Sequence, residues 1–69
     1  MRKTDMKKAP KYGTVVVAKQ PIVVGSMVIP QNSVGTVVYR EKGATEVNVD
    51  WGFVICWVNI EDIRKYDQS

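Results

Sequence analysis

The stretch GATEVNVDWGFVICWVNIEDI, residues 43–63, decides how the rest of the chain folds. Within it Glu46, Asn48 and Asp50 alternate with Val47, Val49 and Trp51. A period of two belongs to a strand whose successive side chains point to opposite faces, here one wet and one buried. Slipping the register by one residue would bury three polar side chains, at a cost on the order of several kcal/mol. Gly52 then supplies a tight reversal, because glycine takes positive φ at little cost. Residues 53–58 return as a second, more apolar strand. Asn59 caps a single helical turn of Ile60, Glu61, Asp62 and Ile63, whose two isoleucines close over one end of the core.

Upstream, Val34-Gly35-Thr36-Val37-Val38-Tyr39-Arg40 reads as a strand in which Gly35 marks a close backbone approach or a sharp bend. Glu41-Lys42-Gly43-Ala44-Thr45 is the polar hairpin loop between it and the alternating strand. Pro30-Gln31-Asn32-Ser33 is a turn, with Asn32 the non-glycine residue best suited to the left-handed region. Residues 19–30 carry two prolines and a glycine, which rule out a regular helix. There Ile22-Val23-Val24 and Met27-Val28-Ile29 flank Gly25-Ser26, the pattern of a long, partly apolar hairpin loop. Gly13 opens the β-branched run Thr14-Val15-Val16-Val17-Ala18, a first strand, and Arg64-Lys65-Tyr66 forms a short last one.

Five short antiparallel strands with one helical turn before the last resemble the SH3-like barrel. The resemblance spans residues 13–66 and rests on Val34-Gly35-Thr36-Val37-Val38, Val47-Asn48-Val49-Asp50-Trp51-Gly52 and Trp57-Val58-Asn59-Ile60-Glu61-Asp62-Ile63. Such pieces are similar to those of KOW-like, Tudor-like, Mind bomb-type and retroviral-integrase C-terminal modules. It implies an all-β fold, a five-stranded antiparallel barrel with one 3-10 turn before the last strand. Residues 1–12 are expected to be a flexible basic tail and residues 67–69 a C-terminal tail. Small barrels host many unrelated tasks, so the fold alone names no ligand.

Sixty-nine residues make one domain, with a small core that benefits from a partner. No apolar run is long enough to span a membrane and none resembles a secretory signal, so a cytoplasmic location is expected. The lone Cys56 forms no internal disulfide, and a chain without histidine lacks the usual zinc ligands; no metal and no cofactor are expected. Charge is unevenly spread. Residues 1–12 hold Arg2, Lys3, Lys7, Lys8 and Lys11 against Asp5, whereas from Gly13 onward five cations face six acids. The tail is basic and the body is not.

Catalysis requires a nucleophile with its base, a carboxylate pair in a cleft, a metal or a cofactor site. Glu61 and Asp62 are adjacent on one turn, where their side chains diverge, and Cys56 has no histidine to activate it. Among enzymes, the type II dihydrofolate reductases share the size and the barrel. Their Val-Gln-Ile-Tyr strand is resembled here by Val54-Ile55-Cys56-Trp57, in which Ile55 stands for the glutamine and Trp57 for the tyrosine. A non-enzyme is therefore expected, with an enzyme like the type II dihydrofolate reductases as the outside alternative.

Strand parity supplies the binding candidates. With Val54, Cys56 and Val58 inward, Phe53, Ile55 and Trp57 point outward together, and large apolar side chains in a row mark an interface. The competing arrangement puts Phe53 and Trp57 beneath the long loop as core. On the first arrangement the chain is an adaptor that binds a protein partner or a second copy through Trp57, Phe53, Ile55 and Tyr39. The alternative is a nucleic-acid-binding module in which Arg2, Lys3, Lys7, Lys8 and Lys11 contact phosphates beside a stacking surface at Tyr12, Tyr39 or Trp57.

Overall fold

The structure is a computed structural model that describes residues 10–41, 43 and 45–66. It is all-β: β1 Val15–Ala18, β2 Ile22–Val24, β3 Met27–Ile29, β4 Val34–Arg40, β5 Glu46–Asp50, β6 Ile55–Asn59 and β7 Ile63–Lys65, with a 3-10 turn at Ile60–Asp62 before β7. Five strands form one antiparallel sheet in the order β6-β5-β4-β1-β7, and β2 and β3 form a second, two-stranded sheet.

The alternation in β5 places its side chains as expected. Val47 and Val49 are fully buried and Trp51 nearly so, Glu46 is exposed, and Asn48 and Asp50 are partly covered. Around them Val16, Ala18, Ile22, Ile29, Val37, Val58, Ile60 and Ile63 complete one core. The residues expected to be conformationally special also hold their roles. Gly52 has φ +95° at the reversal, and Asn32 is the one non-glycine residue with positive φ among the described residues, at +74°. The Asn59 side-chain oxygen accepts from the Glu61 N–H at 2.8 Å and caps the 3-10 turn.

Three boundaries differ from the sequence reading. The first strand opens at Val15, because Thr14 N–H is turned back to the Lys11 carbonyl at 3.0 Å. The strand read over residues 53–58 is Ile55–Asn59; Phe53 and Val54 belong to the reversal, where Gly52 N–H donates to the Asp50 carboxylate at 2.9 Å and Trp51 N–H to the Val54 carbonyl at 2.8 Å. The last strand starts at Ile63, whose N–H closes the 3-10 turn on the Ile60 carbonyl.

The ladder also differs from the expected barrel in that the five-stranded sheet is open, with β6 and β7 as its edges. The 3-10 turn carries the chain from one edge to the other, and three-residue β7 pairs with β1 alone. Residues 19–30 are a true hairpin, with Gly25 at φ +61° in a two-residue turn, and Ile22 and Ile29 pack it onto the core. Lys19 N–H to the Asp62 carbonyl at 2.9 Å and Gln20 Nε2 to the Asp62 carboxylate at 2.7 Å tie the hairpin's base to the 3-10 turn.

Sheet bonding reaches back to Gly13, whose N–H donates to the Val37 carbonyl at 2.7 Å, and the turn before it uses the Lys11 carbonyl. Of the tails expected at residues 1–12 and 67–69, residues 1–9 and 67–69 lie outside the described residues. Residues 1–9 have no apolar period to offer a core. Deleting residues 1–10 is accordingly expected to change folding stability by less than about 0.5 kcal/mol, read by thermal melting. A sharp drop in melting temperature would make the segment part of the sheet.

Candidate functional site

The outer face of β4, β5 and β6 is built by two cross-strand rows. Tyr39, Asn48 and Trp57 are direct partners in one, and Thr36, Asp50 and Ile55 in the next, which Val15 of β1 extends. Cys56 packs against the core, so its neighbours Ile55 and Trp57 point the other way, as parity requires. Trp57 is 46% exposed and Ile55 57%. Phe53 is also exposed, at 58%, but it owes this to the reversal and not to strand alternation.

Tyr39 reaches this face through a feature that alternation alone does not contain. The β4–β5 register shifts between Val37 and Tyr39: Val37 faces Val49, and Tyr39 already faces Asn48. Val38 is the extra residue of a bulge, a device that re-aims the side chains beyond it. Without it Tyr39 would fall opposite Val47 on the core side. As it is, the Tyr39 and Trp57 rings lie 5.8 Å apart at 87°, the edge-to-face geometry favoured by aromatic quadrupoles. Between them the Asn48 side-chain oxygen is shut off from solvent with no hydrogen-bond partner. An acceptor left without a partner in this way lowers stability, typically by about 1–3 kcal/mol.

Beneath the face, desolvation pushes the Cys56 thiol pKa up, and the Trp51 indole offsets part of that rise. The Trp51 N–H points at the sulfur in a contact too loose for a full hydrogen bond, since the nitrogen has no partner within bonding geometry. A thiol held in its protonated form is a poor nucleophile. Among the described residues no three His, Cys, Asp or Glu side chains converge on a metal position, and no helix is long and apolar enough to cross a membrane.

Of the residues read as a nucleic-acid contact, Arg2, Lys3, Lys7 and Lys8 lie outside the described residues. Lys11 and Tyr12 are exposed and, with Val38, Tyr39 and Arg40, line a shallow depression of about 650 Å³. The depression adjoins the aromatic row, because Tyr39 belongs to both. Val23 and Val28, paired across the β2–β3 hairpin and both exposed, form a second apolar spot, which the loop reading of residues 19–30 does not single out. Comparison of the chain with protein families, with curated proteins and with solved structures returns no match.

Proposed function

We propose that this chain is a non-enzymatic SH3-like binding module that docks to protein through the outer face of β4, β5 and β6. The observation that carries the reading is the exposed pair Tyr39 and Trp57, whose rings meet edge to face, together with exposed Ile55 in the next row. Tryptophan and tyrosine supply large contact area with a polar tip and dominate interface energetics. The strand order β6-β5-β4-β1-β7, the β2–β3 hairpin inserted after β1 and the 3-10 turn before β7 support the SH3-like part. The strand that resembles the reductase sequence turns Ile55 and Trp57 outward, side chains that offer substrate no carboxamide or phenol.

Trp57→Ala tests the face. The variant is expected to keep the parent's circular dichroism and cooperative melt while losing about 2 kcal/mol of association, close to thirtyfold in Kd. A variant that instead unfolds would make Trp57 core and remove the proposed face.

A second reading, nucleic-acid binding, draws on Lys11 and Tyr12 beside Tyr39 and Arg40. Solution mass measured with and without single-stranded and duplex nucleic acid separates the two. On the protein-docking reading added nucleic acid leaves the mass unchanged. On the second reading a complex forms, and deleting residues 1–10 flattens its salt dependence, because released counterions scale with the phosphates contacted.

A further inference from the structure

The two edges of the five-stranded sheet are treated differently. A sheet edge presents unpaired N–H and C=O groups, and proteins guard it with short strands, lysine, proline or charge. β7 is guarded: it is three residues long and two of them are Arg64 and Lys65. β6 is not. Its five residues, Ile55-Cys56-Trp57-Val58-Asn59, contain no charge and no proline, and its register with β5 runs without a bulge.

The hydrogen-bond alternation shows which groups stand free. Ile60 N–H donates to the Thr45 carbonyl at 2.9 Å and Trp51 N–H to the Val54 carbonyl at 2.8 Å, so the bonded pairs include 45 with 60 and 51 with 54. In an antiparallel ladder every second pair is bonded. Between these ends, Val47 with Val58 and Val49 with Cys56 are then the bonded pairs. Residues 55, 57 and 59 therefore turn their backbone N–H and C=O away from β5. These are the same residues whose side chains lie on the outer face.

We infer that β6 pairs antiparallel with β6 of a second copy of this chain, about a two-fold axis at Trp57. The inference rests on the docking-face reading and names its occupant. With the axis there, Trp57 exchanges both backbone bonds with Trp57 of the second copy, and Ile55 does so with Asn59. Every outward group on the strand is used, and no like charges meet, since β6 carries none. The two tryptophans become neighbours on one face, with Tyr39 of each chain behind its own ring. Ile55 and Trp57, each about half exposed, lie along the seam with Phe53 at its end, and together they offer roughly 300 Å² of apolar surface. That is well under the ~800 Å² per partner typical of a specific pair, so the backbone bonds of the strand edge carry much of the association and the dimer dissociates readily on dilution. The pairing is isologous and closed, so it stops at two copies while β7 stays guarded.

Sedimentation equilibrium of the full chain over a roughly hundredfold dilution series tests the inference. The expected species has twice the 7.8 kDa chain mass and dissociates on dilution. Ile55→Pro removes an outward N–H while leaving the β5 ladder intact, and Ile55→Ala removes the side chain but keeps that N–H. The proline variant is expected to raise the dimer Kd at least about tenfold beyond the alanine variant. In the parent protein, the Ile55 and Trp57 amides are expected to be protected from hydrogen exchange at high concentration and to lose that protection on dilution, a readout that needs no variant to fold. A chain of 7.8 kDa at every concentration overturns the inference, and the docking face is then decided by protein capture with and without Trp57→Ala. A dimer lost in Trp57→Ala, yet equally stable in Ile55→Pro and Ile55→Ala, overturns the edge pairing and leaves the face standing. A dimer lost in neither overturns both.

Discussion

Val49→Asp is expected to yield a chain with no cooperative thermal transition and the circular dichroism of an unfolded protein. Val49 is fully buried at the middle of β5, between Val37 on β4 and Cys56 on β6. A carboxylate there meets no buried cation among the described residues, and the lone Trp51 N–H does not offset the burial of a charge. It must be buried ionised and unpaired, or buried protonated at the cost of a large pKa rise. Either course costs more than about 5 kcal/mol, which equals or exceeds the whole stability of a domain this small. Glu46→Gln, on the exposed side of the same strand, is the control, with an expected change within about 0.5 kcal/mol. A melt of Val49→Asp that matched the parent's would mean that β5 is turned over.

The register of β5 was legible because two requirements agree on it: a period of two, and the expense of burying Glu46, Asn48 and Asp50. Asn32 was legible for a different reason, since a turn that needs positive φ without glycine selects asparagine. The strand ends were less so. Whether Phe53 and Val54 continue β6 depends on the Asp50 carboxylate capturing the Gly52 N–H, a local competition that hydrophobicity does not record. The open ladder is also a long-range property. It follows from how far the 3-10 turn carries the chain, and no residue in β6 or β7 states that distance.

The candidate face divides the same way. Ile55 and Trp57 follow from Cys56 being inward, which its modest volume and apolar neighbours suggest. Tyr39 does not follow, because counting from Val37 sends it to the core side and only the bulge at Val38 brings it out. The orphan oxygen of Asn48 depends in turn on where Tyr39 and Trp57 settle. No pattern along the chain encodes the burial of a polar atom in the row that two aromatic residues on different strands flank.

Gly35→Val is expected to lower folding stability by about 3 kcal/mol or more, measured by urea denaturation. Gly35 is buried in β4 opposite Val16, and its φ is not positive, so its backbone would accept any residue. Space is what forbids one. A Cβ on Gly35 would lie 2.6 Å from Val49 Cγ1, 2.8 Å from Trp51 Cε3 and 3.0 Å from Trp51 Cδ2. Neither neighbour is the loose end of a flexible side chain. Val49 is stiff at its β-branch and fully buried, and the Trp51 ring is packed into the core with its N–H against Cys56. The strand glycine thus exists to let the indole lie flat against the sheet. Valine adds two further carbons to the same gap, whereas alanine adds none, so Gly35→Ala should cost less, about 1–3 kcal/mol. Val49→Ala separates this steric cause from loss of β4 pairing. It removes Cγ1 and costs about 2–3 kcal/mol alone through the cavity it leaves, but combined with Gly35→Ala it relieves the shorter contact. The double variant should be at least about 0.5 kcal/mol more stable than the sum of the single losses predicts, with full relief prevented by the remaining Trp51 contact. Strict additivity would place the cost of Gly35→Ala somewhere other than the Val49 contact.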